Sequence, residues 1–136
     1  MLLPPALLLL LAQAPPAGIS KVNPTLQPEA VVQRHVEAYN AQDLNLLLGT
    51  LGLDVKLWMF PDKVMVSGKA DCAAAMRATF AGSPSLRMEV SERMVAGTRV
   101  FDHVWLKGRS DGRIIRGVQI YEVHDGVITG IWFMVD

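Results

Sequence analysis

Three histidines, one cysteine and thirteen acidic side chains are the groups in this chain best suited to move protons, act as nucleophiles or hold a metal. Their spacing is the first filter. His35, His103 and His124 show no ligand spacing among themselves or with the acidic residues, so neither a metal nor any other cofactor is expected. Cys72 sits in ADCAAAM, where a small buried residue suits a helix, and as the only cysteine it forms no intrachain disulfide. His35 is more informative. In VVQRHVEAYNAQDL, Val31 to Leu44, the residues Val32, His35, Val36 and Tyr39 fall at i, i+3, i+4 and i+7, one stripe of an amphipathic helix that faces a core. An inward imidazole can serve as acid or base. It can equally be a core histidine bonded to a carbonyl or a water. Asp102 and His103 follow one another on an expected strand and point to opposite faces, which excludes a dyad between them. If Asp102 is the inward one, it can hold His35 in one tautomer from across a cavity. His124, beside the Asp125-Gly126 turn, is expected to be exposed.

The elements that must position these groups follow from the same pattern. Pro28 suits the first turn of the His35 helix, and Asp43 is a good N-cap for a second short helix through Leu44, Leu46, Leu47 and Leu48. Gly49 and Gly52 break the pattern. Val55 to Phe60 alternates as a strand with Val55, Leu57 and Met59 inward, Pro61-Asp62-Lys63 turns the chain, and Val64 to Val66 returns. Ala70 to Phe80 reads as a third helix that buries Cys72, Met76 and Phe80, closed by Gly82 and Pro84. Four strands follow at Leu86–Val95, Arg99–Lys107, Arg113–His124 and Val127–Val135, the last two joined by the hairpin signal Asp125-Gly126. The order predicts an α+β layer in which a curved antiparallel sheet wraps helices.

The chain has 136 residues, 51% of them hydrophobic, which suits one domain with a sizeable core. Residues 1–20 are set apart as a signal peptide and linker, and 21–136 as the domain. Leu2 to Ala12 is almost entirely Leu, Ala and Pro, followed by Pro15, Pro16 and Gly18, and it predicts a secreted or periplasmic protein. The cleavage site stays open, since Ala12-Gln13-Ala14 would leave Pro15 at the new terminus. The run falls short of the about 20 apolar residues that span a bilayer, so no stable membrane anchor is expected. Thirteen Lys and Arg balance thirteen Asp and Glu without a basic run, so nucleic acid is not an expected partner.

The element order, together with VVQRHVEAYNAQDL, the Asp54-Val55 strand entry, Gly68 before the third helix and IYEVHDGVITGIW (Ile120 to Trp132), resembles the nuclear transport factor 2-like superfamily, in its SnoaL-like and ketosteroid-isomerase branch. The resemblance spans Gln27 to Val135. It implies a cone-shaped, curved, mostly antiparallel sheet wrapped around three N-terminal helices, a cystatin-like roll enclosing one deep and largely apolar pocket. Such a scaffold hosts isomerases, cyclases, dehydratases, epoxide hydrolases and non-enzymatic binders. Ketosteroid isomerases use an Asp base and an oxyanion hole of a Tyr and a protonated Asp. The resemblance places His35 at that Tyr, Met59 at the base and Gln119 near the protonated Asp. Two of three roles are altered and the base is missing.

If Gln119 faces the pocket, strand periodicity puts Tyr121 on the same face, and the resemblance puts Ile131 and Phe133 inward on the last strand. The expected site is therefore His35, Asp102 and Tyr121 as catalytic groups, with Met59, Gln119, Ile131 and Phe133 lining the space for a small apolar ligand. Gln119 and Tyr121 can equally be plain core or rim residues. Val118, Ile120, Trp132 and Met134 are apolar on the opposite face of the sheet, which predicts that a second copy covers them in a homodimer. The resemblance implies the same partner.

Overall fold

The first helix is held in place by what it buries. In the computed structural model, which describes residues 23 and 26–136, helix α1 (Pro28–Asn40) buries Val31, Val32, His35, Val36, Ala38 and Tyr39. Pro28 opens it without wasting a backbone donor, and Glu29 places negative charge at the positive end of the helix. At its other end, the Asn40 carboxamide bridges to the backbone of Met88, donating to the carbonyl at 2.9 Å and accepting from the amide at 2.6 Å. This two-point clamp fixes α1 against the sheet. Helix α2 (Leu44–Gly49) starts at Asp43, whose carboxylate accepts from the Leu46 amide at 3.1 Å, as an N-cap should.

The chain then forms strands β1 (Leu51–Met59) and β2 (Lys63–Ser67), helix α3 (Lys69–Gly82), and strands β3 (Arg87–Ala96), β4 (Arg99–Lys107), β5 (Ile115–His124) and β6 (Val127–Val135). All six strands join one curved sheet in the order β2-β1-β6-β5-β4-β3. Every pairing is antiparallel except β1 with β6. The fold is the expected α+β arrangement, with three helices packed on the inner face of a curved, mostly antiparallel sheet.

Two strands start two or more residues away from the sequence pattern. Strand β1 begins at Leu51, before the Val55 start that Gly49 and Gly52 suggest, because buried Leu51 pairs with Ile128 of β6 and the Thr50 carbonyl accepts from the Ile128 amide at 2.8 Å. Tertiary pairing overrides the glycine. Strand β5 begins at Ile115 instead of Arg113, because the Arg113 amide is turned to the Asp111 carboxylate at 3.0 Å and is lost to the ladder. The expected leader, residues 1–20, lies outside the described residues.

Two glycines in the sheet mark close approaches. A Cβ at Gly117 would lie 2.1 Å from the Met134 carbonyl oxygen, and one at Gly130 would lie 2.8 Å from the ring of Trp58 and 2.9 Å from that of Trp132. Those two indoles stack at 4.4 Å with 8° between their planes, over the space that Gly130 leaves.

Candidate functional site

Between α1, α3 and the inner face of the sheet lies a cavity of about 300 Å³. His35 and Tyr39 reach it from α1, Cys72 and Met76 from α3, Gln119 from β5, and Ile131 and Phe133 from β6. Every lining residue is uncharged in its ordinary state at neutral pH or is the single histidine. A larger groove of about 490 Å³ runs outside the helical pair between Arg34, Glu37, Asn45 and Leu46. Charged Arg34 and Glu37 line it, whereas no Asp, Glu, Lys or Arg lines the chamber under the sheet, which is the better candidate for an apolar molecule.

His35 is 6% exposed. Its Nδ1 lies 2.8 Å from the Thr50 hydroxyl, which in turn donates to the Leu47 carbonyl at 2.6 Å. No described protein group bonds Nε2, and no side-chain nitrogen or oxygen among the described residues is both sealed from solvent and without a partner. Nε2 therefore opens on the cavity. Burial lowers the His35 pKa from 6.5 to about 4, because an imidazolium here would lose its hydration. At neutral pH the ring is a neutral acceptor.

Gln119 stands across the chamber. Its Oε1 accepts from the Tyr121 hydroxyl, two residues along the same face of β5, and no described residue accepts from its Nε2. Tyr121 is fully buried and its ring meets that of His35 edge-on at 5.7 Å, but it does not line the cavity. Burial pushes its pKa far up, so it stays a phenol. Tyr121 positions Gln119 and does not itself face the cavity. Tyr39 is likewise pushed up to about 12 by burial, against the pull of the Arg109 cation. The Cys72 thiol is 2% exposed and burial raises its pKa, so it is a packing group rather than a thiolate nucleophile.

Besides Tyr121, two further expected site residues are placed differently. Asp102 is the inward member of the Asp102-His103 pair and is fully buried, but it does not reach His35. Both of its oxygens are taken by Arg93 of β3, at 2.7 Å from Nε and 2.8 Å from Nη2. Arg93 also donates to Gln33 of α1 at 2.8 Å. The carboxylate is a structural ion pair beside the chamber, and Thr50 takes the His35 nitrogen instead. Met59 does not line the cavity either. Leu57, Trp58, Met65 and Val66 form that part of the wall, and Met59, although it pairs with the cavity-lining Phe133 of β6, falls beyond it. His35, Gln119, Ile131 and Phe133 do border the cavity.

Sequence reasoning missed Thr50. Its sole local signal is a hydroxyl three residues after Leu47 at the end of a helix, where such a group commonly bonds back to a carbonyl. Among the described residues no helix is long and apolar enough to cross a membrane, and no cluster of His, Cys, Asp and Glu could hold a metal ion.

Comparison with known proteins agrees with this architecture. An uncharacterised cystatin-fold protein from Novosphingobium aromaticivorans superposes with a TM-score of 0.74 at 20% identity, covering 79% of this chain and 97% of that one. A candidate ketosteroid isomerase from Kribbella flavida gives 0.71 at 18% identity, with 81% and 78% covered. A proposed SnoaL-like polyketide cyclase from Jannaschia sp. gives 0.69 at 20% identity, with 85% and 90% covered. No curated protein matches the chain in sequence. At these identities the likenesses show the fold alone. The SnoaL-like domain model, however, matches residues 32–131, and on that match the chain belongs to the SnoaL-like family of the nuclear transport factor 2-like superfamily.

Proposed function

We propose that this is a secreted SnoaL-like pocket protein that binds a small apolar molecule in the chamber between α1, α3 and the sheet. The observation that carries the reading is the unbonded Nε2 of His35 in a largely apolar cavity. Nε2 is open to the cavity and has no protein partner, so a ligand that displaces water from the cavity must bond it or leave it unpaired, which is costly. Where the site is catalytic, the chemistry is proton transfer of the isomerase, lyase or cyclase type. His35 takes or returns the proton, and the Gln119 amide faces the developing negative charge. The ketosteroid-isomerase Asp base has no counterpart at Met59.

A non-catalytic ligand-binding or dimeric interaction module is the second reading, favoured by a specific observation. A proton taken by His35 would leave a buried imidazolium, and the nearby carboxylate of Asp102 is already spent on Arg93. Mass spectrometry of small molecules that copurify with the protein, repeated on His35→Phe, tests the site. A retained apolar molecule that is lost from the variant supports the proposal. Unchanged binding by the variant removes His35 from the site, and turnover of a retained molecule by the wild type rules out the non-catalytic reading.

The second copy proposed for the outer sheet face would cover Val118, Ile120, Trp132 and Met134. Arg116 lies over the Trp105 ring at 5.2 Å on the same face, an aromatic surface with a polar rim. Light scattering on a sizing column should give a dimer, and a monomer at micromolar concentration overturns it. Fractionation of cells for the mature protein tests secretion.

A further inference from the structure

The hydrogen bonds behind the chamber fix the polarity of its two open polar groups. A carbonyl oxygen only accepts, so the single hydroxyl proton of Thr50 lies on the bond to Leu47, and the oxygen of Thr50 presents lone pairs to His35. Nδ1 must then be the donor of the 2.8 Å contact. A neutral imidazole carries one N–H, and with that proton on Nδ1, Nε2 is left as a bare acceptor towards the cavity. The Gln119 carboxamide is set in the opposite sense. The Tyr121 hydroxyl lies between the Met88 sulfur, at 3.8 Å, and Oε1 of Gln119; the oxygen is the far stronger acceptor and takes the single proton, so the two N–H groups of Nε2 are the part without a protein partner.

We infer that the chamber is built for an uncharged, largely apolar molecule carrying a hydroxyl group, which donates to His35 Nε2 while a neutral oxygen of the ligand accepts from Gln119, and that Thr50 is the positioning residue that sets this polarity. The inference rests on the proposed ligand-binding function and names its ligand class. An ether or ketone offered to Nε2 sets lone pair against lone pair. A carboxylate does the same and also brings a charge into walls that hold no Lys or Arg. A hydroxyl is both donor and acceptor, and suits both groups.

The test uses three probes on one bicyclic frame: 2-naphthol, 2-methoxynaphthalene and 2-naphthoate. Binding is read by fluorescence titration at neutral pH, and the His35 tautomer by nitrogen-15 NMR of the labelled ring. The wild type should show a proton on Nδ1, and should bind 2-naphthol at least about tenfold more tightly than the methyl ether, the usual consequence of leaving a buried polar atom unpaired; the carboxylate should bind weakest. Thr50→Ser should keep both the tautomer and the preference. Thr50→Val, which frees Nδ1 of its acceptor, should mix the tautomers and narrow the preference. A wild-type ring protonated on Nε2, or equal affinity for naphthol and its ether, overturns the inference and leaves the binding function standing. Failure of all three probes to bind or to move the His35 resonances overturns both.

Discussion

Acid should destabilise this protein through His35 in a pH window that its carboxylates do not account for. The unfolded chain takes a proton on this ring at pKa 6.5, whereas the folded chain refuses it down to about 4. Between those values the unfolded state holds a proton that the folded state lacks, so protonation pulls the equilibrium towards unfolding. The stabilisation is complete above about pH 6.5, is lost as pH falls, and levels off below about pH 4. At about 1.4 kcal/mol per pH unit, the loss across the window is about 3 kcal/mol, a large share of the 5–15 kcal/mol that typically holds a domain together. Urea unfolding followed by tryptophan fluorescence, from about pH 7 to about pH 4, should be run on the wild type and on His35→Phe. The carboxylates are common to both chains and cancel in the difference, so the variant's offset in stability should shrink or reverse by about 3 kcal/mol as the pH is lowered. Parallel curves for the two proteins, or an NMR titration that places the His35 ring near its ordinary 6.5, would refute the argument that this nitrogen lies in a desolvated chamber.

Asp102→Asn should cost about 3 kcal/mol in the same unfolding assay, since it leaves the guanidinium of Arg93, whose side chain is 14% exposed, without its counter-charge. Replacing both partners together, Arg93→Met with Asp102→Leu, should recover most of that loss. Tyr121→Phe should lower stability by about 1 kcal/mol by removing one buried hydrogen bond. It should also free the Gln119 carboxamide to turn, so that discrimination among ligands falls further than stability does. Gly117→Ala should destabilise by at least about 2 kcal/mol, because its Cβ would meet the Met134 carbonyl, backbone that cannot move without breaking the β5–β6 ladder. A circular dichroism melt unchanged from the wild type would contradict that reading.

Much of the fold and part of the site could be read from the chain. The i, i+3, i+4, i+7 stripe placed His35 inward because a helix leaves no choice of face once Val32, Val36 and Tyr39 are buried. Its partner could not be read in the same way. Thr50 comes within reach of Nδ1 only because α2 folds back on α1, and a contact of that kind between residues 35 and 50 leaves no periodic trace. Met59 was misplaced for a related reason. Alternation gives Met59 the inner face, opposite Phe133 of β6, but how far along that face the cavity runs is set by the helices packed over it, which leave no periodic trace in β1.

The open choice between Asp102 and His103 has a physical cause that bears on the whole sheet. Strand β4 is apolar on both faces: Val100, Asp102 and Val104 on one side, Phe101, His103 and Trp105 on the other. Alternation therefore separates two sets without saying which is the core. Val100, Asp102 and Val104 are the fully buried set, which puts a carboxylate at the pairing position opposite Gln119, one strand from the chamber's amide. An unpaired charge there would face the cavity wall and draw a proton onto His35. The bidentate bond from Arg93, anchored in turn to Gln33 of α1, occupies both oxygens and turns a potential counter-ion into a neutral pair outside the wall. The same pair that ties α1 to β3 thus keeps His35 without the carboxylate an imidazolium would need, so the folded state favours the neutral ring whose free nitrogen accepts.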